Sequence, residues 1–149
     1  TRVSKNILFV SKNKKCSLDR LIQELKFNTE LSFYQYNLNY FFDEQIDAPN
    51  MKLRSEVVQY FLDTFTECLE NIVKHSQCNR VDIFIQQQKQ KISLSIKDDG
   101  SGFNYHSMKD KPGSYGLDIL SQMTSDLNGQ LEINSKIGAG TFIKLTVIN

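Results

Sequence analysis

The chain of 149 residues is one domain's worth of sequence, long enough to bury a substantial core. Eighteen basic against 17 acidic residues leave a formal net charge of +1, which supplies no pull toward nucleic acid or an anionic membrane surface. No apolar run approaches the ~18 residues of a membrane span, no signal peptide is expected in this stretch, and the start at Thr1 points to a piece of a longer protein.

Residues 1–15 are mixed and basic around one apolar run, Ile7-Leu8-Phe9-Val10, which leaves strand and helix open. They are expected to connect to a missing upstream region, with 16–149 forming the domain. Ser17 is placed to N-cap a helix to about residue 27, with Leu18, Leu21, Ile22 and Leu25 at helical spacing. Residues 33–42 are aromatic-rich with partial alternation and read as a strand. After a turn at Asp47-Ala48-Pro49-Asn50, the longest periodic segment runs from about 52 to 76, carrying Val58, Phe61, Phe65, Leu69 and Ile72.

Two alternating strands follow, Val81-Ile83-Ile85 and Ile92-Leu94-Ile96, joined as a hairpin by residues 86–90. The second leads into Asp98-Asp99-Gly100-Ser101-Gly102-Phe103. A polar stretch reaches Gly113-Ser114-Tyr115-Gly116, and a helix is expected from 117 to about 127, with Gly129 as its stop. Strands near 130–135 and 142–148 flank Gly138-Ala139-Gly140-Thr141. Helices interspersed with hairpins exclude a doubly wound parallel sheet. A mixed sheet with helices on one face, a two-layer α/β (α+β) sandwich, fits.

Cys16, Cys68 and Cys78 are odd in number and lack metal-ligand spacing, and His75 with Cys78 offers too few ligands for zinc. Reduced thiols in an intracellular protein are expected. At 100° per residue, Glu67, Asn71 and Lys74 fall within about 60° on the long helix, opposite its apolar side. A solvated face is the commoner explanation of such a stripe. Asp98 at the end of an apolar strand suits an exocyclic amine, although Asp-Gly there is also ordinary turn chemistry. The loop before the last helix suits a phosphate, because amides and the helix dipole point at it. A glycine-rich hairpin needs no function at all.

The series is far more specific than its parts. Glu-x-x-x-Asn-x-x-Lys-His on a helix, Asp-x-Gly-x-Gly-Phe after a strand, Gly-x-x-Gly-Leu before a helix and Gly-x-Gly-Thr in a hairpin occur in that order. From residue 52 to 149 this resembles the nucleotide-binding boxes of the GHKL superfamily, the gyrase, Hsp90, histidine kinase and MutL ATPases of Bergerat-type fold. The Lys-His ending of the first box and the short stretch between Phe103 and Gly113 look most like the ATP-binding catalytic domain of sensor histidine kinases. Within these, the nitrate- and temperature-sensing subfamily is the nearest resemblance.

The resemblance implies ATP and Mg²⁺ as cofactors and a protein-histidine kinase activity. Asn71 would ligate Mg²⁺, Glu67 would orient or activate the attacking group, and Lys74 or His75 would contact phosphate. Asp98 would accept the adenine amino group, with Gly100 and Gly102 shaping its pocket and Thr141 near the adenine end. Residues 104–112 would form a lid, with Gly113, Gly116 and Leu117 closing over the phosphates. Tyr115 stands where many members carry glycine, which would make the lid loop less adaptable or its phosphate grip weaker.

Neither His75 nor His106 suits the phosphoacceptor role, so an upstream histidine-bearing dimerisation domain and a cognate response regulator are the implied partners. The parent would be a homodimer and the isolated domain a monomer. It would work in the cytoplasm, contacting neither membrane nor nucleic acid, whether or not the parent is membrane-anchored. Two alternatives share these boxes: an anti-sigma-factor-type serine kinase, and a catalytically silent nucleotide-binding interaction module.

Overall fold

The computed structural model describes residues 2–104 and 115–149. The apolar run at residues 7–10 takes the helical option: α1 spans Arg2–Lys12. Ser17 caps α2, Leu18–Tyr34, its hydroxyl accepting from the Arg20 amide at 3.2 Å. The helix runs well beyond residue 27 because Thr29, Ser32 and Phe33 continue the buried stripe of Leu18, Leu21, Ile22 and Leu25. Phe33 and Tyr34 therefore belong to α2, not to the strand their aromatic character suggests; burial at helical spacing outweighs local β-preference. Thr29 satisfies its hydroxyl in this core by donating to the Leu25 carbonyl at 2.8 Å.

Strand β1 covers Asn39–Ile46, and the long amphipathic helix α3 covers Ser55–Asn71. This helix is the crossover that lets β1 run parallel to β2, Arg80–Gln88. Strand β3, Lys91–Asp98, pairs antiparallel with β2 up to Gln88 and Lys91. The hairpin is thus tighter than 86–90, with Lys89 at φ 54° in a two-residue turn. Helix α4 spans Tyr115–Asp126, followed by β4, Gln130–Ser135, and β5, Thr141–Ile148. The sheet order is β1-β2-β3-β5-β4, with every pair but the first antiparallel.

The stop of α4 lies one residue earlier than Gly129. Asn128 takes the left-handed conformation at φ 51°, while the Gly129 amide returns to the Thr124 carbonyl at 2.9 Å. Gly129 is needed for space instead, since a Cβ there would lie 2.7 Å from the Thr146 carbonyl oxygen.

One sheet face carries Val81, Ile83, Ile85, Ile92, Leu94, Ile96, Leu145 and Val147, all buried against α2, α3 and Leu120 of α4. The other face carries Asp82, Phe84 and Ser95, which are partly exposed. Helix α1 docks on α3, where buried Asn6 donates to Asp63 Oδ1 at 2.9 Å and Thr66 Oγ1 at 3.2 Å. Among the described residues, no helix is long and apolar enough to cross a membrane.

Candidate functional site

Side-chain parity places the site's first group. On β3 the positions Ile92, Leu94 and Ile96 face the core, so Asp98 two residues on faces it too, and it is only 5% exposed. Its register partner on β5 is Thr141, which shares a face with Ile143, Leu145 and Val147. Asp99 points the other way and accepts from the Asn79 and Arg80 amides at 2.9 and 3.0 Å, bonds that lower its pKa. The two adjacent carboxylates are thereby split between a site and a loop tie.

Asp98 Oδ1 accepts from the Gly100 amide at 2.9 Å. Burial raises its pKa, opposed by that bond and by the Thr141 amide, while the Asp99 charge adds to the rise.

The second group comes from the end of α3. After Asn71 the helix widens into a π-helical turn, Ile72–Ser76, and stops at Gln77 with φ 51°. The wider turn changes which side chains at the end of the helix reach the cavity. Lys74 is exposed, and His75 lies on the cavity wall instead. The freed carbonyls at the turn's end are taken by the loop after β3. Ser101 donates its amide to Ser76 O at 2.6 Å and its hydroxyl to His75 O at 3.2 Å.

These approaches explain the glycines. A Cβ on Gly100 would overlap the Ser76 carbonyl. Gly102 and Gly140 adopt φ 61° and 74°, and their missing side chains leave room for the Lys136 and Asp98 carbonyls. The Gly138 amide completes the seam by donating to Ser101 O at 2.7 Å. Two of the glycine loops are therefore one structure.

Between the end of α3, the end of β3, the start of β5 and the start of α4 lies a cavity of about 350 Å³. Its apolar walls are Cys68, Ile72, Ile96, Leu117 and Ile143; Asn71, His75, Asp98, Ser101 and Thr141 supply polar groups. Phe103 and Gly102 border it, as does Gly116. Glu67 is not itself a wall. It reaches the cavity through Gly116, where a Cβ would stand 2.5 Å from Glu67 Oε1 and 3.4 Å from the Asn71 amide nitrogen. Burial raises the Glu67 pKa and the Glu70 carboxylate adds to this, with the Lys74 ammonium opposing.

Of the expected site residues, Asn71, His75, Asp98, Gly102, Gly116, Leu117 and Thr141 meet at one cavity, with Glu67 and Gly100 directly behind it. Gly113 and residues 105–112 of the expected lid lie outside the described residues, as does the side chain of Tyr115. Sequence reasoning missed Cys68, Ile72 and Ile143 as cavity walls. Only the shared strand parity of Ile143 with Thr141 could have signalled the last of these. Burial pushes the Cys68 thiol up to about 12, so it lines the cavity as a neutral group. Among the described residues, no cluster of three His, Cys, Asp or Glu side chains could hold a metal ion.

A family described as "Histidine kinase-, DNA gyrase B-, and HSP90-like ATPase" matches residues 59–148, more than half of the chain. The signal transduction histidine-protein kinase/phosphatase DegS of Bacillus subtilis (strain 168) is 37% identical over 82 residues, covering 54% of this chain and 21% of its own. The sensor protein NarQ homolog of Haemophilus influenzae is 26% identical over 136 residues, covering 91% of this chain and 22% of its own. The chain thus spans about a fifth of the length of the curated relatives it matches. In fold it is similar to the histidine kinase domain of the Erythrobacter litoralis EL346 blue-light activated histidine kinase. That match has a TM-score of 0.71 at 15% identity and covers 99% of this chain and 73% of that one. With its mixed five-stranded sheet, its cavity at the end of α3 and these relatives, the chain belongs to the histidine kinase-, DNA gyrase B- and HSP90-like ATPase family.

Proposed function

We propose that the chain is the ATP-binding catalytic domain of a two-component sensor histidine kinase, acting in the cytoplasm. It would pass the γ-phosphoryl group of ATP to a histidine on an upstream dimerisation domain of the same homodimeric protein, and from there to a response regulator. One observation carries this reading: one cavity is lined by a buried carboxylate, Asp98, by apolar side chains, by an amide, an imidazole and the first turn of a helix.

Adenine fits between Ile96, Ile143 and Ile72, with Asp98 accepting from its exocyclic amine. The phosphates then face Asn71, His75 and the start of α4, where backbone amides and the helix dipole favour negative charge. The donor set suits Mg²⁺, a hard cation that keeps its waters and takes few protein ligands, so the Asn71 amide oxygen is enough and a carboxylate cage is not needed. Bound there, Mg²⁺ would supply charge neutralisation across the phosphates. Glu67 holds its proton more tightly than an ordinary carboxylate, a shift toward the range in which a general base works, and would orient the incoming imidazole.

A fluorescent ATP analogue titrated into the chain is expected to bind only when Mg²⁺ is present, and Asn71→Ala should weaken it at least about 100-fold, the order of a lost charge-assisted contact. Glu67→Gln should bind the analogue within about twofold of wild type yet abolish phosphotransfer in the parent protein, the pattern of a group used only in the transition state. Analogue affinity that ignores both Mg²⁺ and Asn71→Ala would sink the proposal. The phosphorylated product should be acid-labile, as a phosphohistidine is and a phosphoserine is not.

A further inference from the structure

We propose that Tyr60 is a positioning residue: its hydrogen bond to Thr124 holds α4 at the angle that keeps Gly116 against Glu67 and Asn71. The inference rests on the nucleotide reading for its consequence, but on helix geometry for its substance. At 100° per residue, Tyr60, Thr64, Glu67 and Asn71 share one stripe of α3 about 60° wide. Helix α4 lies along that stripe in the opposite direction, its first turn at Glu67 and Asn71 and its last turns at Tyr60. Tyr60 and Glu67 are about 10.5 Å apart along α3, and Gly116 and Thr124 about 12 Å along α4. The two contacts are the two ends of one interface.

The polar end is fully determined. Thr124 Oγ1 lies 2.7 Å from the Leu120 carbonyl, which can only accept, so the threonine donates there. At 2.7 Å from Tyr60 Oη, the same oxygen must then accept, and Tyr60 donates. Both side chains are buried, at 4% and 3% exposure. Burial pushes the Tyr60 phenol up to about 12, so the donor is present at any working pH.

Between the ends sits fully buried Leu120, whose packing is non-directional and by itself allows sliding. A directional bond at one end and a side-chain-free contact at the other together set the crossing angle. A small pivot about Leu120 would part Gly116 from Glu67 and open the phosphate end, while the Asp98 end, built from β3 and β5, would stay as it is.

The 149-residue chain supports the test. Tyr60→Phe keeps the ring and its edge contact with Phe61, centroids 5.3 Å apart, and Thr124→Val keeps shape while losing the hydroxyl. Each is expected to lower affinity for Mg-ATP about tenfold while leaving adenosine within about twofold. In the nucleotide-free protein, amide hydrogen exchange at Ile119 and Leu120 should quicken, and Thr124→Ser, which restores the hydroxyl, should reverse both effects. Equal losses for adenosine and Mg-ATP, or exchange at α4 unchanged by Tyr60→Phe, would overturn the proposal. Failure of the wild-type chain to bind either ligand would overturn the nucleotide reading instead, with the exchange comparison still deciding the role of Tyr60.

Discussion

Asp98→Asn is expected to abolish nucleotide binding without lowering the stability of the chain at neutral pH. Asparagine has the same shape, and its oxygen can still accept from the Gly100 amide, as Asp98 Oδ1 does at 2.9 Å. The replaced oxygen becomes an amide nitrogen that donates, and a donor facing the adenine amine leaves two buried groups unpaired. A loss of about 100-fold or more in affinity is the order of such a mismatch.

Stability moves the other way because burial, the largest influence on Asp98, raises its pKa from 3.8. As pH rises, the unfolded chain ionises at its ordinary value first, and the folded chain holds its proton until the raised one. Between those values the wild type loses stability, and above both the loss is complete. The asparagine variant has no such dependence. Its melting temperature should equal or exceed that of the wild type at pH 7, and the advantage should shrink on acidification toward pH 4. A variant that melts several degrees lower at pH 7, or keeps its affinity for an ATP analogue, would refute this account of Asp98.

Gly100→Ala carries the other large effect, and here the fold itself should suffer. The added Cβ would overlap the Ser76 carbonyl, which already accepts from Ser101 at 2.6 Å, and backbone cannot rotate away as a side chain can. The seam between the π turn and the loop after β3 must then separate. A cost of about 3 kcal/mol or more is in the range of overpacked buried sites. For a chain of this size that lowers the melting temperature by roughly 6–12 °C. Gly138→Ala is the control, because its Cβ would meet nothing within 4 Å and only the φ of 82° is unfavourable. It should cost about 1 kcal/mol, the usual penalty for a left-handed alanine. Equal melting temperatures for the two variants would show that overlap at Ser76 is not what requires Gly100.

The sequence by itself determined the parts that repeat or alternate. Period 3.6 around Phe61, Phe65 and Leu69 located α3, and period 2 located β2 and β3, because burial on one face imposes a spacing that survives without coordinates. The same parity carried Asp98 onto the core face, and the order of four weak boxes pointed to the family.

Tertiary structure decided what depends on where segments meet. Periodicity says nothing of which strands become neighbours, so the sheet order had to come from packing. Helix α2 outran its expected end because Phe33 found the core. Gly129 was recognised as a helix terminus, but the left-handed turn went to Asn128 and the glycine to a close approach at Thr146. At the π turn it is His75, not Lys74, that lines the cavity, although Lys74 remains near enough for its charge to act on Glu67. No local pattern encodes that turn; it forms where Ser101, twenty-five residues on from Ser76, satisfies the carbonyls it frees.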